Sequence, residues 1–211
     1  MQWRNKLGKV AVILLLVPQL MACAVVANAQ KRQQAILDSA ESQCDFAAAV
    51  TTPTPTENGF KVVVDNHSPA CDNFAEGKSY YAIVPIKPNA TLRISSEAYN
   101  PALYFKPIVR FYDANFNAEK TLIPELRPPK FTSYLSQERV MQGTVVTPSN
   151  AHYLLIYTSP TFLQTWDYFT VTPGRFEAVR QNDHYVQRQT PSQTSLIYRG
   201  RVGTLTINYI E

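Results

Sequence analysis

The stretch Thr161 to Phe169, TFLQTWDYF, concentrates the side chains a sugar site uses. Flat aromatic rings pack against the C–H faces of a sugar, and a few polar groups collect its hydroxyls. Phe162, Trp166 and Tyr168 supply rings, and Gln164 and Asp167 supply polar ends, so these five are the candidate ligand-binding residues. The spacing also has a plainer meaning. Ser159-Pro160 is an N-cap followed by proline at a first helical position, and Thr161 to Trp166 continues as a short helix. Phe162 and Trp166, four apart on such a helix, then share a face that can be buried against a sheet. Tyr99 and Tyr104 flank a second aromatic loop.

Other chemistries leave weaker traces. The three histidines, His67, His152 and His184, sit in no metal-binding spacing. No G-x-S-x-G elbow is present. Glu97, Asp113, Glu125 and Asp167 are the acids available for glycoside chemistry, but that chemistry needs a pair ~5–9.5 Å apart, a distance that sequence cannot supply. Asp113-Ala114-Asn115-Phe116-Asn117 has the alternating oxygens of a calcium loop. Ala118 stands where the turn glycine belongs and Pro124 where the bidentate glutamate belongs, so it reads as a polar turn. The expectation is a protein without catalytic residues, metal or cofactor.

These side chains must be positioned by strands. Tyr80 to Ile86, Thr91 to Ser95 and Ile108 to Tyr112 are apolar or alternate with a period of two, which marks strands with a face on a core. Phe60 to Asp65, Arg139 to Thr147 and Gly203 to Ile210 follow the same pattern. Gly143 in the second of these marks a bulge or a close backbone approach. His152 to Thr158 is apolar at nearly every position, as a central strand buried on both faces requires. Lys31 to Ser42 reads as a short amphipathic helix or ordered arm, and Thr51 to Gly59 as a Pro/Thr-rich linker. A second short helix is expected over Arg175 to Arg180, and Gln181 to Ser195 reads as a polar surface loop. Roughly seven strands with short turns predict an all-β fold, a single antiparallel β-sandwich with one or two short helices and an N-terminal arm.

The first 29 residues read as an export signal. Arg4, Lys6 and Lys9 precede the apolar run from Val10, and Ala27-Asn28-Ala29 offers the small-x-small cleavage pattern before Gln30. Lipidation at Cys23 is the competing address, and a membrane span is disfavoured by the short run broken at Pro18. The chain then divides into a signal over 1–29, an arm and linker over 30–59, and the sandwich over 60–211. Removing the signal takes three of the 20 Lys and Arg, leaving 17 against 16 Asp and Glu, a net charge of +1. With no basic cluster interleaved with aromatics, nucleic acid is excluded as a partner. Of three cysteines, Cys44 and Cys71 remain, and an even pair in an exported chain is most simply a disulfide. Closing a loop of that length contributes about 3.5 kcal/mol through chain entropy.

Four stretches carry a resemblance. They are Tyr81-Ala82-Ile83-Val84-Pro85 with Leu92-Arg93-Ile94-Ser95-Ser96, then Pro107 to Asn115 (PIVRFYDAN). Gly143 to Pro148 with Tyr153 to Thr158 follows, and the last is Gly203-Thr204-Leu205-Thr206-Ile207. Together they resemble the maltose operon periplasmic protein family over residues 79–210. The resemblance implies an exported envelope protein connected with maltose or maltodextrin use, and it brings no catalytic residues. This sequence stops where longer members of that family continue into a Pro/Ala-rich linker and a helical region. The partners it leaves are an oligosaccharide or another envelope protein.

Overall fold

The computed structural model describes residues 28, 30–99, 103–127, 140–164, 166–171, 176–181, 184–189 and 193–210. The expected signal up to Ala29, and with it Cys23, falls outside the described residues apart from residue 28.

Two sheets face each other. The larger has the order β1 (Thr54–Thr56), β2 (Gly59–Val64), β15 (Gly203–Ile210), β5 (Thr91–Tyr99), β6 (Leu103–Phe105), β14 (Gln193–Gly200), β11 (Trp166–Val171), with β9 (Val140–Val146) also pairing β5. The smaller has the order β3 (Ala70–Cys71), β4 (Ser79–Pro85), β10 (Tyr153–Tyr157), β7 (Ile108–Tyr112), β8 (Ala118–Leu122). A separate hairpin joins β12 (Phe176–Gln181) to β13 (His184–Gln189). The pairings between these strands are antiparallel, save β6 with β14. This is the expected β-sandwich.

Alternation along the strands builds the core between the sheets. Phe60, Val62 and Val64 of β2, Leu92 and Ile94 of β5, and Leu205 and Ile207 of β15 point inward from the larger sheet. Tyr80, Ala82, Val84, Val109, Phe111, Leu154 and Ile156 meet them from the smaller. Each fully buried side chain of this size contributes about 1.5–3 kcal/mol. The smaller sheet has a second apolar face. Tyr81, Ile83, Ile108, Tyr112, Leu155 and Tyr157 form an outer cluster there. Strand β10 thus packs on both sides, Leu154 and Ile156 inward and Leu155 and Tyr157 outward, as its unbroken apolar run requires.

The N-terminal arm covers that outer face. Residues 30–39 are helical and set Leu37 into the core. The chain then runs along the β4 edge, with Val50 bridged to Ile83 and the Thr51 amide donating to the Ile83 carbonyl at 2.9 Å. Phe46 lies against Phe74, Tyr81 and Tyr112. The Cys44–Cys71 disulfide ties the arm to β3 with a Cα–Cα distance of 5.0 Å. The cysteines are therefore a staple, as expected.

Three stretches outside the candidate ligand-binding residues differ from the sequence reading. The Pro/Thr-rich 51–59 segment holds the edge strand β1, where Thr54, Pro55 and Thr56 pair with Lys61, Phe60 and Gly59. An edge position is the one place where Pro55, lacking an amide donor, costs no ladder bond. Of the helix expected over Arg175 to Arg180, the described residues 176–180 belong to strand β12, because pairing to β13 overrides a moderate helix propensity. The polar loop expected over Gln181 to Ser195 contains β13 and the start of β14, which pairs with β11 and β6. Gly143 has the close approach its position implied: a Cβ there would lie 2.6 Å from the Glu125 carbonyl oxygen.

Candidate functional site

Asp113 to Asn117 connects β7 to β8 at a point where the pairing register shifts between Phe111 and Tyr112. The Asp113 carboxylate accepts from the Asn115 amide, the Asn117 amide and the Asn117 side chain, each at 2.8 Å. The Asp113 amide donates to the Asn117 carbonyl at 3.1 Å, closing the turn from the other side. Hydrogen bonds from Asn117 lead in holding the Asp113 carboxyl below the usual carboxylate range. The turn is overdetermined, and it imposes a conformation that a bulky residue avoids. Phe116 sits at φ 59, a left-handed position costing about 1–2 kcal/mol for a side chain with a Cβ.

That conformation lays the Phe116 ring on Tyr153. The ring centroids are 4.4 Å apart and the planes differ by 15°. Tyr153 is the first residue of β10, half-buried on the outer face, and Tyr112 adjoins Phe116 at 6.4 Å. The stacked pair remains partly open and is rimmed by exposed polar groups. His152 precedes Tyr153, with its Nδ1 2.9 Å from the Asn150 carbonyl. The Asn150 side chain donates to Glu119 of β8, and Asn115 and Asn117 stand exposed on the turn. A flat apolar platform bordered by carboxamides, a carboxylate and an imidazole can take the C–H face of a sugar and bond its hydroxyls.

The residues singled out from sequence occupy a different place. Phe162 and Gln164 lie on a 3₁₀ turn, Pro160–Gln164, while Trp166, Asp167 and Tyr168 lie on β11 opposite Tyr198, Ile197 and Leu196. Phe162 and Trp166 therefore do not share a helix, because the chain extends into strand pairing after one 3₁₀ turn. The side chains of Gln164, Trp166 and Tyr168, and of Tyr99, lie outside the described residues. Asp167 faces a polar network. Arg199 donates to it through Nε at 2.8 Å and Nη2 at 2.9 Å, and the fully buried Tyr104 donates its hydroxyl to Oδ2. Burial pushes the Asp167 carboxyl up, but the bonds from Arg199 and Tyr104 outweigh it and hold the acid below its ordinary value. Burial, with help from Asp167, raises the Tyr104 phenol well above the usual tyrosine range. Phe162 is half-buried, with the Lys106 amine and the Arg199 guanidinium each 5.5 Å from its ring centre.

The remaining acids are separately engaged. Glu97 pairs with Lys61 across the larger sheet at 3.4 Å, and Glu125 pairs with Arg127 beside β9. His67 is exposed in the turn after β2, with Asp65 3.7 Å away. His184 opens β13. Sequence reasoning saw the 113–117 turn but not its platform. The missing signal was that Tyr153 faces outward from a strand whose two faces are both apolar. No protein-family model matches this chain, and neither a curated protein nor a solved structure is similar to it.

Proposed function

We propose that this is an exported, non-enzymatic envelope protein of the maltose operon periplasmic type that binds a glucan-like oligosaccharide weakly, as an accessory to carbohydrate uptake. The observation that carries the binding reading is the partly open Phe116–Tyr153 stack, held in place by a turn that strains Phe116. Strained backbone kept by surrounding bonds gathers at sites with a task. The disulfide fits an oxidising compartment, and the signal pattern over 1–29 fits release to the periplasm, with anchoring at Cys23 as the other address. Among the described residues no helix is long and apolar enough to cross a membrane.

A shallow stacking site gives affinities of about −4 to −6 kcal/mol, millimolar to high micromolar. Calorimetry of the exported chain with soluble maltodextrins should show binding in this range. Phe116→Asn and Tyr153→Leu should each remove it, whereas Trp166→Ala should leave it intact. Loss of binding in Trp166→Ala alone, with the fold unchanged, would move the site to the Phe162–Tyr168 stretch. The absence of binding to any soluble glucan would sink the reading.

A second reading, an adaptor that binds another envelope protein, is favoured by β8. This edge strand is exposed along nearly its whole length. An uncovered edge offers main-chain donors and acceptors to a partner strand. A photoreactive side chain at Glu119 should then crosslink one envelope protein reproducibly in cells, and Thr121→Pro should abolish the product.

A further inference from the structure

We infer that the end of the sandwich beneath the N-terminal helix holds a small halide-type anion, bound by Arg201 and Tyr80. Arg201 lies just before β15 and is 5% exposed, yet its Nε and Nη1 have no hydrogen-bond partner among the described residues. Tyr80, on the inner face of β4, is 2% exposed, and its hydroxyl is equally unpartnered. Both lie under the N-terminal helix: Arg201 bonds Gln33 and Gln34 of it, and Lys78, two residues before Tyr80, donates to the Asp38 and Ala40 carbonyls at its end. Ser96, fully buried and paired with Leu205 near the start of β15, adds a second unpartnered hydroxyl at this end.

The chemistry of these groups selects the ligand. A guanidinium only donates, and the two hydroxyls can turn to donate, so the missing partner is an acceptor. Its charge is also missing. The two carboxylates that influence this site, Asp38 and Asp65, do not reach Arg201. Asp38 accepts from the Gln34 amide, whose own oxygen takes Arg201 Nη2, so glutamine rather than carboxylate meets the cation. Asp65 is committed to the amides of His67 and Ser68. A buried cation with no anion beside it is among the costliest arrangements in a protein interior. An unpartnered buried group calls for an ion or a water, and net positive charge with donors alone favours the anion. The helix closes the site. Gln34 accepts from Arg201 Nη2, Gln33 accepts from the Arg201 amide at 3.2 Å, and Leu37 packs in the core below.

Crystals of the exported chain grown in sodium bromide test this directly. An anomalous peak within hydrogen-bond distance of Arg201 Nε or Nη1 and of the Tyr80 hydroxyl is the expected result. In solution, sodium chloride added to a sodium gluconate background at constant ionic strength should raise the melting temperature saturably. Tyr80→Phe, which keeps the core filled, should weaken that chloride response about tenfold by removing one hydrogen bond to a charged partner. Water density without anomalous signal, or a melting temperature indifferent to the exchange of gluconate for chloride, overturns the proposal.

Discussion

The Asp167 region and the Asp113 region are built from the same materials and use them in opposite directions. Each joins one carboxylate to aromatic rings and nearby polar groups. At Asp167 every strong donor turns inward: Arg199 is bidentate, Tyr104 comes from the core, and the carboxylate is consumed by its own protein. At Asp113 the carboxylate satisfies three donors of its own turn, and the rings and carboxamides beyond it are left to solvent. Composition does not separate the two; pairing does. Asp167 lies within a ladder to β14 that presents Arg199, whereas Asp113 ends a strand.

Four perturbations sharpen that contrast. The largest effect should come from the staple beneath the outward region. Cys44→Ser should lower stability by about 2–5 kcal/mol, read from urea midpoints. Because Phe46 then loosens from Tyr112, which adjoins Phe116, maltodextrin affinity should fall in the same variant. Next, Asp167→Ala removes an acceptor from the Arg199 guanidinium and from the buried Tyr104 hydroxyl. It should cost about 3 kcal/mol of unfolding free energy without changing glucan binding. Equal loss of binding in a fully folded sample would mean the inward region is the site.

A third effect is set by pH. Tyr80, Tyr81, Tyr104 and Tyr157 all have phenol pKa values raised chiefly by burial, Tyr157 to about 12. Below pH 10 both folded and unfolded chains keep these protons. Above it the unfolded chain loses them first, so stability should decline as pH rises past 10. The phenolate absorbance of these four tyrosines should appear together with unfolding rather than before it. At the acid end the sign reverses. The depressed Asp167 supports the fold above the ordinary carboxylate range and loses that contribution as pH falls below it. The smallest effect on stability belongs to Phe116→Asn. Asparagine tolerates the left-handed position, so relief of strain should offset lost stacking to within about 1 kcal/mol. Binding alone should go.

The sandwich was largely legible because its strands advertise themselves. Ile108–Tyr112 and Gly203–Ile210 have the bounds their alternation implied, and the apolar run from His152 named the strand that packs on both faces. Cys44 and Cys71 are bonded as expected, because reading residues 1–29 as a signal left only these two cysteines to pair. The polar strands were not legible. Gln181 to Ser195 carries no apolar alternation, and what makes strands of it is main-chain bonding to β12 and β11, which side-chain pattern does not encode. The platform was hidden for a related reason. Phe116 looks like one aromatic in a polar turn until tertiary structure sets Tyr153 under it.

Strand β15 is the last described strand to be synthesised, yet it lies between β2 and β5, near the middle of the larger sheet. The sheet cannot assemble while the chain is still emerging. Residues near 60 must wait for partners near 207, a separation that makes folding slow and leaves apolar strands uncovered meanwhile. Under the export proposed above, this delay is useful. A chain that cannot close its own sheet before its final strand arrives stays threadable through a translocation pore. It commits to its shape only on the far side, where the short-range Cys44–Cys71 bond can already have formed.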